Sequence, residues 1–386
     1  MQPSMRHAGR HRLWWLTGLL ALALAFTACG ADDDSDQAAS GGNDTAAEAP
    51  ASEAELGDLE TLPTGTDKLC GDKPIKLAQV DGFGANSWRK IVRQELKSEL
   101  APCTNVTISY AQAGGDIQKF NTQVNSFVAQ GFDIILAYDD FGEQGLPALS
   151  KATKAGVTVV PYISNPGGTP GEDYVEFIDE HREEVGKTFA EWLNKTLDGK
   201  GDVIFLGGIP GNPSSLSFME PAVANTDPGI TWVQDKPVDT NWDPAQYTRV
   251  TAGLISKYPD LSAYVSDYGA ATVGSLRAYQ NAGKPMPALA TLASSNELGC
   301  VYDEVKKDWP DFEMVWVEGT TRVVRWAARR ALAAFNEIEI DDPTELKMFP
   351  FVDTTAGKEP ECRTDLPPDA DLSSGLTPEE LQEVFG

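Results

Sequence analysis

Residues 116–137 read Asp116-Ile117-Gln118-Lys119-Phe120-Asn121-Thr122-Gln123-Val124-Asn125-Ser126-Phe127-Val128-Ala129-Gln130-Gly131-Phe132-Asp133-Ile134-Ile135-Leu136-Ala137. An amphipathic helical stretch over 116–130 passes through a turn into a short β-rich run over 133–137. The same grammar recurs on both sides. Strands are expected at 75–80, 106–110 and 157–162, with helices over 87–100 and 144–155. A second cycle places strands near 202–206, 230–234, 262–266 and 287–292, and helices near 179–197, 214–225, 244–257 and 270–282. Such alternation implies a parallel sheet with crossover helices. Two cycles in one chain predict an α/β fold of two doubly wound parallel-sheet lobes, joined by a multi-strand hinge with a ligand cleft between them. Each lobe presents its ligand-facing loops at the carboxyl ends of its strands.

The first lobe is expected over 69–165 plus about 319–340, the second over 166–318 plus part of 341–386. Crossings are placed near 164–172, 292–298 and 318–322, with another beyond 340. The helix Arg322–Glu337 returns to the first lobe, and its Arg322, Arg325, Arg329 and Arg330 read as a solvated face. Cys70 precedes the first strand and Cys103 the second, so in neighbouring parallel strands both lie at one end. A Cys70–Cys103 bridge is therefore geometrically reasonable and is the favoured pairing, which leaves Cys300–Cys362 as the second pair. Both are permitted in an exported protein, where they act as staples.

The 386 residues carry 31 Lys+Arg against 58 Asp+Glu, a net charge of −27, and 41% are hydrophobic. That is enough to bury a sizeable core. The acidity excludes a nucleic-acid partner, which needs a basic footprint. His7, His11 and His181 are the only histidines, so no metal centre built on paired imidazoles is expected, and no cofactor.

Residues 1–12 hold Arg6, Arg10 and Arg12 and no acid, and an apolar run follows from Leu13 to Phe26. About 14 mainly apolar residues are too few to span a bilayer but suit a secretory signal peptide, taken as 1–28. Phe26-Thr27-Ala28-Cys29 resembles a bacterial lipobox, which implies lipidation of Cys29; the alternative is ordinary secretion with Cys29 a spare thiol. Setting Cys29 aside leaves an even set of four cysteines. From Gly30 to Glu60 there are ten acids and no Lys or Arg. The expectation is a disordered acidic tether over 29–68 that holds the folded part off the membrane.

The glycine-rich turn Gly207-Gly208-Ile209-Pro210-Gly211 has no following Lys-Ser or Lys-Thr and is not a phosphate loop. Its expected role is a sharp turn that opens a cleft-facing loop. No Gly-x-Ser-x-Gly elbow is present. What recurs at the strand ends is a mixture of amides, carboxylates, Arg and aromatic rings. The expected ligand-binding residues are Phe83, Asn86, Trp88 and Arg89 after the first strand, Asp139 and Asp140 after the third, and Asn165 after the fourth. The second lobe adds Asn212, Trp242, Asp267, Tyr268, Asn296 and Glu318. Planar polar groups exchange hydrogen bonds with vicinal hydroxyls while rings cover C–H faces, the chemistry of sugar and polyol sites. Singly, each has a plainer explanation: Asn86 and Asn212 as helix caps, Trp88 as core, Arg89 as surface, Asp139 and Asp140 as solvated turn residues.

The stretches Asp116 through Leu136, Ala155-Gly156-Val157-Thr158-Val159-Val160 and Gly274-Ser275-Leu276-Arg277-Ala278-Tyr279-Gln280-Asn281-Ala282-Gly283 are, in this order, similar to the periplasmic-binding-protein type 1 family, the ribose-like solute-binding components of ABC importers. Leu376-Thr377-Pro378-Glu379-Glu380-Leu381 resembles a short terminal helix of its sugar-binding lipoproteins. The resemblance covers about 73–386. It implies that Asn86, Trp88 and Arg89 belong to the first ligand loop, Asp139-Asp140 to the third-strand loop, Trp242 to an aromatic position, and Asp267 or Tyr268 to a polar one. Two positions depart from the family pattern. Leu216 stands where members often carry Arg, and Ala293-Ser294-Ser295 intervene where an Asp or Asn commonly ends the strand.

The expected function is therefore a non-enzymatic solute receptor of an ABC importer. It would be a lipid-anchored monomer on the outer face of the cell membrane, closing its lobes on a small sugar or polyol and docking on a permease. Two alternatives stand beside it. One is an exported glycoside hydrolase pairing Asp139 or Asp140 with Glu297 or Glu318, at a carboxyl separation of about 5–10 Å. The other is a sensor subunit for a chemoreceptor or kinase. The export leader and the missing basic helix-turn-helix region exclude a transcription regulator.

Overall fold

The computed structural model describes residues 56–84, 86–210 and 212–385. The expected signal peptide and Cys29 lie outside them. The chain begins with β1 (Gly57–Asp58), then β2 (Ile75–Asp81), α1 (Ser87–Leu100), β3 (Val106–Gln112), α2 (Ile117–Ala129), β4 (Ile134–Tyr138), α3 (Leu146–Lys154) and β5 (Thr158–Pro161). Asp116 caps α2 by accepting from the backbone N–H groups of Gln118 and Lys119. Gly131, at φ 68°, supplies the left-handed residue that turns the chain into β4. Phe120 and Val124 face the sheet and are fully buried, as are Ile134, Ile135, Leu136 and Ala137. Burial on both strand faces is what a parallel sheet under helices demands. The sheet order is β3-β2-β4-β5, all parallel.

The second lobe follows as β6 (Asp179–Glu180), α4 (Arg182–Thr196), β7 (Lys200–Gly207), α5 (Pro213–Asn225), β8 (Gly229–Trp232), β9 (Val238–Asp239), α6 (Pro244–Lys257), β10 (Leu261–Ser266), α7 (Gly269–Ala282), β11 (Ala288–Leu292), α8 (Asn296–Asp308) and β12 (Met314–Val317). Then come α9 (Val323–Phe335), β13 (Glu345–Lys347), β14 (Pro350–Asp353) and α10 (Pro378–Phe385). The larger sheet runs β14-β12-β11-β10-β7-β8, with β14 antiparallel at its edge and β9 beside β7. Both lobes start from a strand near the centre and wind outwards, so both have the doubly wound topology that opens a crevice at the strand ends.

The chain passes between the lobes at 162–181, 318–322 and 336–349. It does not cross at 292–298. There Ser295 caps α8, and the apolar run Met314–Val317 forms β12 beside β11 in the same sheet. Helix α9 returns to the first lobe and packs on α1, β4 and β5. Its arginines are not a solvated face. Arg325 is paired with Glu95 and Glu99, Arg329 with Asp342, and Arg330 with Glu176. Arg322 donates to the carbonyls of Leu59, Glu60, Ser373 and Ser374. Glu95, Glu99 and Glu176 lie 154 or more residues from their arginines, and even Asp342 is 13 from Arg329, so local periodicity could not show the pairing.

The expected tether boundary at residue 68 also needs correction. β1 pairs in parallel with β13, which pairs with β6, so residues 57–58 add a strand to a small hinge sheet. Leu59 and Leu69 are buried beneath it. Leu59 interrupts the acidic stretch and Leu69 follows it, and both supply apolar surface worth burying, about 25 cal/mol per Å². Both disulfides form as expected, Cys70–Cys103 and Cys300–Cys362. Among the described residues no cluster suited to a metal ion occurs, and no helix is long and apolar enough to cross a membrane.

Candidate binding cleft

A cavity lies between the facing carboxyl ends of the two larger sheets. The first lobe contributes Asn86, Trp88 and Arg89 from the start of α1, Tyr138 from the end of β4, and Ile163. The second contributes Ser214 and Phe218 from α5, Trp242, Asp267, Tyr268, Leu292 and Ala293. Glu180 and Thr320 enter from the crossings. Seven described non-glycine residues have positive φ, and four of them line this cavity: Ile163 (64°), Trp242 (49°), Ala293 (52°) and Thr320 (57°). Backbone strain of this kind persists only where the surroundings enforce it, and it gathers at ligand sites.

Arg89 is the polar centre of the first-lobe wall. Its guanidinium pairs with Asp140 at 2.8 Å and Asp81 at 3.2 Å, and it lies 3.7 Å from the centroid of the Tyr138 ring. Burial pulls the guanidinium pKa down, but the two carboxylates more than offset this, so it stays charged. Burial pushes Asp140 up to about 7 against the pull of Arg89. Asn86 does cap α1, accepting from the Arg89 N–H at 2.9 Å, while also facing the cavity. Trp88 donates its indole N–H to the Gly319 carbonyl and meets Tyr138 edge-on at 5.5 Å.

On the opposite wall, Trp242 donates its indole N–H to Asp267 at 3.0 Å, and the Ser215 hydroxyl donates to the same carboxylate. Burial lifts Asp267 to about 6. The glycine-rich turn has a concrete purpose here: a Cβ at Gly208 would lie 2.1 Å from the Trp242 ring. Only glycine lets the indole lie against that backbone. Phe83 meets Trp242 from across the cleft, with ring centroids 5.6 Å apart.

Six of the expected residues therefore line the cavity together: Asn86, Trp88, Arg89, Trp242, Asp267 and Tyr268. Phe83 touches it through Trp242. Asp140 stands behind Arg89. Asn212 caps α5 and reaches Asp140 across the cleft. Asn165 lies outside, in the adjoining groove. Asp139 is turned inward against Gly145, where it accepts from the Phe141 N–H, and burial raises it to about 7. The Asn296 amide holds the tail instead, donating to the carbonyls of Arg363, Leu366 and Pro367. Glu318 is fully buried at a crossing, accepts from the Thr320 N–H, and is raised to about 8 by burial.

Sequence reasoning missed Tyr138, Ile163, Glu180, Ser214, Phe218, Leu292, Ala293 and Thr320. Tyr138 adjoins a chosen position and was within reach. Glu180 sits in a crossing strand rather than at a sheet end, so the strand-end rule could not find it. Phe218 reads as an ordinary core position of a helix.

Two parallel sheets with an aromatic and polar cavity between their carboxyl ends define a two-lobed ligand-binding protein. The chain belongs to the periplasmic binding protein domain family, which matches residues 81–298. Solved structures share the fold. A periplasmic solute binding protein of an ABC transporter from Actinobacillus succinogenes, with bound D-allose, is 20% identical, with a TM-score of 0.58 over 72% of this chain and 96% of that one. The Caulobacter myo-inositol binding protein bound to myo-inositol is 17% identical, with a TM-score of 0.63 over 72% and 94%. The fructose binding periplasmic domain of a hybrid two-component system is 18% identical, with a TM-score of 0.60 over 73% and 91%. No curated protein matches the chain.

Proposed function

We propose that this protein is the solute-binding receptor of an ABC importer and captures a small sugar or polyol by lobe closure. The observation that carries the reading is the cavity itself: Asn86 and Arg89 on one wall and Asp267 on the other offer hydrogen bonds, beside the rings of Trp88 and Trp242. The family and the ligands named for the two binding proteins of like fold, D-allose and myo-inositol, support it. Lipidation at Cys29 would hold it on the outer face of the cell membrane, a monomer presenting its closed form to a permease. A sensor role is the second reading, favoured by the two-component relative. The glycosidase alternative finds no support in its own residues: Asp139, Asp140, Glu297 and Glu318 do not line the cavity.

Thermal-shift screening against sugars, polyols and amino acids, with calorimetry on hits, tests the ligand class. A stabilising sugar or polyol is expected; stabilisation by an amino acid alone overturns the reading. Trp88→Ala and Trp242→Ala should each weaken binding while the protein still folds. Loss of folding in both would make them core residues instead.

A further inference from the structure

Glu180 is only 3% exposed, yet it lines the cavity and its Oε2 has no hydrogen-bond partner. Its Oε1 lies 3.0 Å from Arg182 Nε, but Arg182 also pairs with Asp179 at 2.6 Å. Arg89 is divided in the same way between Asp81 and Asp140. Asp267 receives only neutral donors, Trp242 and Ser215. Around the cleft, five carboxylates thus share two guanidinium cations. A ligand hydroxyl would satisfy Glu180 Oε2 but leave that excess charge in a poorly hydrated space, where it is costly.

We infer that the ligand of this cleft is a sugar or polyol bearing a protonated amine, with the ammonium seated against Glu180. The inference rests on the sugar or polyol reading and narrows it. An ammonium donates to the unpartnered oxygen and neutralises the excess in one contact. Phe218 and Trp242 add ring faces of the kind that attract cations. The groove adjoining Glu180 holds Asp179, Glu183, Glu220 and Glu345 beside His181 and Arg182, so the flank of the site is acidic and would concentrate a cation. Burial lifts Asp267 to about 6 and Asp140 and Asp179 to about 7, and at the latter two Arg89 and Arg182 offset it only in part.

Calorimetry on the full-length protein with matched series decides the matter: D-glucose, D-glucosamine and N-acetyl-D-glucosamine, the galactose equivalents, and myo-inositol with an aminodeoxyinositol. In at least one series the amine should bind about tenfold or more tighter than both neutral members, a difference of about 1.4 kcal/mol. Glu180→Gln should shrink that ratio to below about threefold, since the ammonium would then meet a neutral amide of equal size. A neutral member binding as tightly as the amine in every series that binds overturns the inference and leaves the sugar reading intact. Binding by no member of any series overturns both. Should Glu180→Gln fail to fold, the ratio of amine to N-acetyl compound in the unaltered protein still decides, because acetylation removes the charge and keeps the ring.

Discussion

The side-chain amide of Asn212, at the start of α5, donates to Asp140 Oδ1, at the end of β4, at 3.2 Å. The two residues belong to different lobes, so this hydrogen bond exists only while the cleft is closed. Asp140 in turn holds Arg89, which faces the cavity. Closure, the latch and the binding wall are thus linked through one carboxylate.

Asn212→Ser tests the latch. Serine keeps the cap on α5, which Asn212 supplies to the Ser214 N–H, but it is too short to reach Asp140. A hydrogen bond to a charged group is worth about 1.5–3 kcal/mol. All of that bears on the closed state, so affinity should fall about tenfold or more with the melting temperature nearly unchanged. Calorimetry with unaltered affinity would show that the contact does not stabilise closure.

Gly208→Ala should act on the site through Trp242. The new methyl would overlap the indole, 2.1 Å away in the present packing. The ring must then leave Asp267, and loss of an aromatic anchor costs about 2 kcal/mol or more in binding. Ligand titration and intrinsic tryptophan fluorescence report the two effects separately.

Stability should fall as pH rises. Burial raises Asp139, Asp140 and Asp179 to about 7 and Glu318 to about 8. Unfolded carboxyls titrate near 4. Between those values the folded protein binds more protons than the unfolded chain, so the contribution is fully present at low pH and is lost through about 7 to 8. The ligand-free protein should therefore melt higher at pH 5 than at pH 8. Glu318→Gln, which retains an acceptor for the Thr320 N–H, should flatten that dependence and raise the melting temperature at pH 8.

Arg322→Ala should loosen both ends of the described chain. Its guanidinium binds two carbonyls of the first segment, at Leu59 and Glu60, and two of the tail, at Ser373 and Ser374. Leaving such acceptors without a donor costs about 1–3 kcal/mol. Limited proteolysis should then cut before residue 70 or after residue 365 at protease levels that spare the unaltered protein. Equal resistance would mean that β1 and the Cys300–Cys362 bridge hold these segments without Arg322.

Much of the fold was legible because its signals are local. The helix 87–100 and the strand 75–80 were placed within a residue of α1 and β2, since Asn86 caps the helix and Ile75, Leu77, Ala78 and Val80 make the strand mainly apolar. Met314–Val317 escaped because four residues carry no period, and its partner strand is what makes it a strand. Asn296 looked like a site residue for a local reason, following a strand at a polar turn. Its amide is consumed by Arg363 and Leu366, some seventy residues onward.

By itself, the sequence determined the alternation of strands and helices, the two windings, and which loops carry amides and rings. Periodicity, capping and composition act over a few residues and can be read along a line. Only the tertiary structure decided that Glu180 enters the cleft with a free carboxylate oxygen, that Asp139 turns away from it, and that Arg325 of α9 binds the buried Glu95 and Glu99. Those outcomes depend on which distant segments meet. In a buried site a charge is governed by its nearest partners, and the folded chain alone places them.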